Sequence, residues 1–356
     1  SLDENASVHL YHTFKRLIEQ VQEGNFSPNI IYHGEEPVEY AVVPLTQYGP
    51  DYHSETFESV SEMLETYYAS KEILTRIRQK SSDLRRIVQT ALERNRKKLL
   101  LQQKQMKDTA KKDKFKVYGE LINTYGYGLE EGCRFFKALN YYTNEMIKIP
   151  LDETLSPLEN AKKYFNKYAK LKRTYQALTE LTAETETEIA HLESIATSLD
   201  IATQEDDLSE IREELVAYGY LRKKNGEKKK KSKSKPLHYV SSDGYHMYVG
   251  KNNYQNDELT FKFAVGNDWW FHAKGMPGSH VIVKTNGDEL PDATFEEAAK
   301  LAAYYSKGRE NPKVEIDYPE KKNVKKPNGS APGFVVYYTN FSLTVHPDIS
   351  GLTLVE

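Results

Sequence analysis

Between Pro50 and Gly119 the chain carries no proline and no glycine, and this uninterrupted stretch restricts the fold more than any other feature. Apolar residues recur through it at helical spacing: Val60, Met63, Leu64, Tyr67 and Leu74, then Ile77, Leu84, Val88, Leu92, Leu99 and Met106. A second run has Ala161, Tyr164, Tyr168, Leu171, Tyr175, Leu178, Thr182, Thr185, Ile189, Leu192, Ala196 and Leu199 in steps that alternate three and four. A 3.5-residue repeat keeps one seam facing a partner helix, so these runs predict supercoiled pairing. An antiparallel hairpin within one chain explains both runs, and an intermolecular coiled coil is the alternative. At ~1.5 Å per residue, helices of roughly 40–60 residues give an arm on the order of 60–90 Å long. The polar seam residues Thr182 and Thr185 weaken the packing where an arm would bend.

The segment joining the two runs breaks helix with Gly119, Gly126, Gly128 and Gly132, alternates through Arg134–Tyr142, turns at Thr143-Asn144 and resumes at Met146–Ile149. This predicts a small β-hairpin tip over 119–155. Pro157 suits the first turn of the returning helix. A short helix over Gln204–Tyr218 ends at Gly219, and its acids Asp206, Asp207, Glu213 and Glu214 read as an exposed face. Nine of the fifteen residues from Leu221 to Lys235 are Lys or Arg. Such a block repels itself and stays solvated, and it also gains by releasing counterions from a phosphate backbone.

Ahead of the arm, Val8–Val21 has helical spacing and stops at Gly24-Asn25, and Asn29–His33 and Tyr40–Pro44 read as short strands. A helix-like run begins almost at once after Ser1-Leu2-Asp3-Glu4, which is no signal peptide, so part of a longer protein is expected to precede it. The single cysteine, Cys133, excludes an internal disulfide framework and fits a reducing, cytoplasmic compartment. No apolar run reaches the length of about 18 residues needed to span a bilayer, so no membrane insertion is expected. With a net charge of −3, any grip on nucleic acid must come from local clusters.

From His238 a new module begins. Strands are predicted at His238–Ser241, Tyr245–Val249, Leu259–Ala264, Trp269–His272, His280–Lys284, Lys313–Tyr318, Phe334–Tyr338 and Leu343–His346. A helix over Thr294–Lys307 is expected, with Thr294 as N-cap and Glu297 completing a capping box. Three clusters carry candidate RNA contacts. Lys251, Asn252, Asn253, Gln255 and Asn256 follow a strand, and amides both donate and accept toward base edges and sugar hydroxyls, although Asn and Gly also simply favour turns. Trp270, His272, Lys274 and His280 offer a stacking platform beside cations, if their face of the strand is not core. Lys325, Lys326 and Asn328 occupy a Pro/Gly loop that suits phosphate positioning or mere solubility. Two histidines without further cysteines or placed acids make no zinc site. From Pro236 onward 12 Lys/Arg face 15 Asp/Glu, so binding must be local. No nucleophile elbow, phosphate-cradling loop or His-Glu-x-x-His appears, and neither an enzyme nor a cofactor is expected.

Val249-Gly-Lys-Asn-Asn-Tyr-Gln-Asn-Asp257, Trp270-Phe-His-Ala-Lys274, Pro277-Gly-Ser-His-Val281, the Ala298–Lys307 stretch and Val324-Lys-Lys-Pro-Asn-Gly329 together resemble the NFACT-R domain of the NFACT family. Gly119-Glu-Leu-Ile122, Pro157-Leu-Glu-Asn-Ala161 and Glu210-Ile-Arg-Glu-Glu-Leu215 extend the resemblance over nearly the whole chain. After Glu120 the tip departs from the family's usual run, reading Asn123-Thr-Tyr-Gly126.

The resemblance implies a mixed fold: the end of a helix-hairpin-helix region with short strands (1–55), a coiled-coil arm with its tip (56–220), a basic linker (221–236) and an α+β RNA-binding NFACT-R domain (237–356). It implies an adaptor in ribosome-associated quality control that binds a stalled 50S ribosomal subunit, its tRNA and the nascent-chain complex, and supports untemplated alanine tailing while the ribosome performs the peptide transfer. It also implies that the family's N-terminal NFACT-N domain is missing, so that this stretch alone would not support tailing. Some members are described as fibronectin- or fibrinogen-binding, so a surface adhesin is the second reading.

Overall fold

The computed structural model describes residues 4–34, 36–50, 52–130, 132–223 and 234–355. They form two compact units, one of residues 1–89 with 193–356 and one of residues 90–192.

In the first unit, helix α1 (Glu4–Gln22) ends at Gly24, whose φ of 70° suits only a residue without a Cβ. A three-stranded antiparallel sheet follows, β1 (Asn29–His33) between β2 (Glu36–Ala41) and β3 (Tyr52–Thr56). The second strand starts earlier than its sequence suggests. The third, Tyr-His-Ser-Glu-Thr, has no apolar alternation and gave no signal. Ile30 and Tyr32 of the sheet pack on Met63 and Tyr67 at the start of α2 (Val60–Thr109). Helix α4 (Pro157–Ile201) returns into this unit, where Arg85 donates to the Leu199 carbonyl and pairs with Asp200, while Lys80 reaches Glu205 at 2.5 Å. Partners on one segment fall in number as those on the other rise, so the two run antiparallel here.

In the second unit, α2 ends at Thr109, whose buried hydroxyl donates to the Met106 carbonyl at 2.6 Å and tightens the last turn. Helix α3 (Lys112–Tyr125) leads to β4 (Phe135–Asn140) and β5 (Glu145–Pro150), an antiparallel hairpin pairing Phe135 with Pro150 and Asn140 with Glu145. Asn144 takes a left-handed φ of 56° in its turn. Tyr118, Leu121, Ile122, Ala138, Ile149 and Ala161 form the core of this tip. Gln102 of α2 donates to the Leu181 carbonyl, and the ammonium of Lys112, at the start of α3, lies 4.5 Å from the Tyr175 ring centre, so the segment running from α2 into α3 lies antiparallel to α4 inside this unit.

Helix α5 (Glu205–Ala217) opens with a capping box in which the Asp207 carboxylate accepts from the Gln204 and Thr203 amides. The lysine-rich residues 224–233 lie outside the described residues. The terminal module is a seven-stranded antiparallel sheet. Its strands are β6 (Leu237–Val240), β7 (His246–Val249), β8 (Trp269–Ala273), β9 (Val281–Val283), β10 (Val314–Tyr318), β13 (Phe341–Val345) and β14 (Thr353–Leu354). They run in the order β13-β10-β8-β9-β7-β6-β14. A two-stranded piece, β11 (Val324–Lys325) with β12 (Val336–Tyr337), stands apart from it. Tyr239, Met247, Phe271, Val281 and Ile316 pack on one face against Ala298, Leu301 and Ala302 of α7 (Asp292–Tyr304).

Two local expectations are corrected. The Leu259–Ala264 segment is no strand. Helix α6 (Asn253–Glu258) runs into a wide π-type turn at Leu259–Phe263, closed by the Ala264 amide on the Leu259 carbonyl at 2.8 Å. Its apolar residues bury Leu259 and Ala264, five apart, where a strand would have buried alternate residues. Helix α7 starts two residues early, with Pro291 as N-cap, because the Thr294 hydroxyl donates to Asp243 at 2.9 Å, lies 3.0 Å from the Ser241 hydroxyl and makes no cap.

Candidate nucleic-acid interface

The amide-rich segment after β7 is where sequence placed RNA contact, and its polar groups point inward. Asn252 caps α6 by accepting from the Gln255 amide at 3.0 Å, which forces the chain into a helical turn. Its Nδ2 then reaches Glu210 at 2.6 Å. Asn253 donates to Glu214 and to Ser194, each at 2.8 Å. Gln255 donates to Glu210 (3.2 Å) and to the Ser234 carbonyl (3.1 Å) while accepting from the Lys251 amide (3.1 Å). Asn256 accepts from the His280 amide at 2.9 Å. Lys251 is only 3% exposed and its ammonium lies 2.7 Å from the Asp207 carboxylate.

These groups therefore hold α5 against the terminal sheet, and a ribonucleotide reaches them only by displacing that helix. Both expectations about this region are corrected together. The turn does not face solvent, and Asp207 and Glu214 are fully buried. Sequence offered one clue to the missed acids: Asp207, Ile211 and Glu214 follow a helical i, i+4, i+7 spacing, so they share a face with an apolar residue. Ser194 and Ser234, also part of this cluster, gave no sequence signal.

The second cluster lies on the sheet face opposite α7. Trp270 is fully buried, and its indole N–H has no partner among the described residues. His280 is buried too, with Nδ1 2.8 Å from the Thr260 hydroxyl, and desolvation pushes its proton affinity far down. His272 is partly buried and edge-on to His280, and loss of hydration holds its pKa at about 4, against a smaller upward pull from the Gly278 backbone and Asp317. The Asp317 carboxylate accepts from the Tyr337 hydroxyl at 2.6 Å, and burial with that bond raises the phenol's pKa. Trp270 and His280 are thus core, and the stacking platform expected there is closed.

Lys274 is exposed but spans Glu315 at 2.6 Å. In the third cluster, Lys326 pairs with Asp257, while Lys325 and Asn328 are exposed, Asn328 beside Gly329 in a turn. The structure therefore brings Lys251 to Asn256 together as one buried lock and leaves Lys274, Lys325 and Asn328 at the surface, apart from it.

Comparison with known proteins fixes the lineage. Residues 1–234 match the NFACT N-terminal and middle domains, and residues 235–337 match the NFACT protein RNA binding domain. The first match overturns the expectation that the N-terminal NFACT region is missing, since the front of the chain and its paired helices fall within one continuous domain description. The chain is 43% identical over 295 residues to the Rqc2 homolog RqcH of Streptococcus pneumoniae serotype 2, covering 83% of this chain and 53% of that protein. It is 37% identical over 338 residues to the Rqc2 homolog RqcH of Bacillus subtilis, covering 93% and 58%. It spans about half the length of these relatives. Among solved structures it is similar to the C-terminal part of the fibronectin/fibrinogen-binding protein from Streptococcus suis, with a TM-score of 0.62 and 38% identity over 76% of this chain and 96% of that one. On the residue match of both domains, this chain belongs to the NFACT family.

Proposed function

We propose that the chain serves ribosome-associated quality control as a cytoplasmic binding adaptor and carries no catalytic activity of its own. Its antiparallel helices form a coiled-coil lever with a hairpin tip, and the terminal module holds RNA of the large ribosomal subunit. In this reading it engages the stalled 50S subunit with its tRNA and nascent chain, and the protein of which it forms part supports alanine tailing. The observation that carries the reading is the match of residues 235–337 to an RNA-binding domain, joined to 37–43% identity with proteins named Rqc2 homolog RqcH. Sedimentation of the chain with purified 50S subunits through a sucrose gradient tests it. Co-migration at low salt is expected, and its absence overturns the proposal.

The likeness to a fibronectin/fibrinogen-binding protein favours one second reading, adhesion to those host proteins. Surface biotinylation of intact cells separates the two. A labelled pool supports adhesion, and a wholly unlabelled one removes it. Among the described residues no helix is long and apolar enough to cross a membrane.

A further inference from the structure

The sheet face opposite α7 is sealed at its centre and open toward β6. Cross-strand register places His238 beside Tyr248, Tyr248 beside Ile282 and Ile282 beside Trp270 on this face. Leu259, Ala264 and Val324 cover Trp270 and Ile282. One strand further out the cover stops. There the His238 ring lies flat on Tyr248, with centroids 4.6 Å apart and planes at 4°. Phe263 meets Tyr248 edge-on at 4.7 Å, and His246 Nδ1 is 2.8 Å from His238 Nε2. The wide turn before Ala264 brings Phe263 to this spot, and turns of this kind recur at functional sites. Phe263 is 39% exposed, and His246 and Lys262 are exposed beside it.

We propose that the His238–His246–Tyr248–Phe263 band is a stacking platform for unpaired bases of single-stranded RNA. The proposal rests on the RNA-binding reading and gives it a location. A core edge needs only aliphatic cover. This patch instead groups four aromatic rings, His238, His246 and Tyr248 with polar rims and Phe263 without one, the composition on which bases of any identity stack. The Lys284 ammonium lies 5.0 Å from the Phe263 ring centre and is held there by Asp268, which fixes the ring and leaves Lys262 to meet phosphate. All seven residues fall inside the stretch that matches the RNA binding domain. The module's excess of acids excludes a broad electrostatic grip, and stacking supplies affinity that needs none.

The test is fluorescence anisotropy of the full chain with a labelled unstructured oligoribonucleotide and with the same length as a duplex. Single strand is expected to bind in preference to duplex. Phe263→Ala should weaken single-strand binding about tenfold or more with the salt slope unchanged, and Phe263→Trp should restore it. Lys262→Ala should instead lower the salt slope by about one. His246→Ala, at an exposed position, serves if Phe263→Ala unfolds, and should also weaken binding. Binding of neither RNA by the unaltered chain overturns the RNA-binding reading itself. RNA binding that survives in folded Phe263→Ala or His246→Ala at full strength, or equal affinity for duplex, overturns the platform alone and leaves the band to a protein partner.

Discussion

The Lys251 ammonium lies 2.7 Å from the Asp207 carboxylate with both groups almost wholly buried, so the residue that sequence offers to RNA is committed to helix α5. Around that pair, Asn252, Asn253 and Gln255 donate to Glu210 and Glu214. Amide donors satisfy carboxylates without adding charge, so one lysine and three amides hold Asp207 and Glu214, both buried, and the half-buried Glu210.

Removing one partner of such a pair leaves the other charged and unsolvated. Lys251→Met is therefore expected to destabilise the terminal module by about 3–5 kcal/mol. Asp207→Asn in the same chain should recover a large part of that loss, because it removes the orphaned charge and keeps an oxygen to accept from the Thr203 and Gln204 amides. Urea unfolding followed by tryptophan fluorescence checks this, since Trp269 and Trp270 both report on this module. Equal midpoints for the single variant and the parent would contradict the buried pair.

Gly250 stands where a Cβ would run into Asn256 Oδ1, the acceptor of the His280 amide. Gly250→Ala is expected to cost about 1–3 kcal/mol through this overpacking. The same fluorescence-detected unfolding measures it, and a fall in midpoint without a change in slope is the expected signature.

The front sheet, the arm and the terminal module were legible in different degrees for physical reasons. Long periodic stretches such as Ala161–Leu199 announce a helix because one face must be apolar. The amide-rich turn was misplaced because Asn and Gln carry the same donors and acceptors whether they meet a nucleotide or Glu210, and only the tertiary partner decides. Trp270 and His272 alternate to one face of β8 as expected, but which face is covered depends on Leu259 and Val324, residues from elsewhere in the chain. Phe263 was hidden because Leu259, Phe261 and Phe263 alternate like a strand while the backbone makes a π-type turn.

The imidazoles of His280, buried, and His272, partly buried, set a pH dependence whose sign follows from desolvation. His272, held at about 4, and His280, also pushed down, take up protons less readily in the folded chain than when unfolded. Their contribution to stability is complete above the ordinary histidine range near 6.5 and is lost as pH falls from there toward about 4. For His272 the loss is on the order of 2–3 kcal/mol. Asp317 faces His272 and Lys326 faces His280, so the two carry different residual charge interactions. Tryptophan-detected urea midpoints between pH 7 and 4 should fall, and His272→Gln should flatten the curve. A midpoint constant over that range would show the rings to be hydrated.

The arm contains a polar residue that its packing leaves half-served. Gln102 is buried, its Nε2 reaches the Leu181 carbonyl only at 3.4 Å, and its Oε1 has no partner among the described residues. Leaving a buried carbonyl unpaired costs about 1–3 kcal/mol, whereas an apolar side chain of similar volume costs nothing in desolvation. Gln102→Leu is accordingly expected to stabilise the helix pair locally by about 1 kcal/mol. Hydrogen exchange of the α2 and α4 amides near Gln102 and Leu181 reads this directly, with slower exchange there and no change in the terminal sheet. Faster exchange would mean that the glutamine holds the register of the two helices, and specificity of pairing would then outweigh the desolvation it imposes.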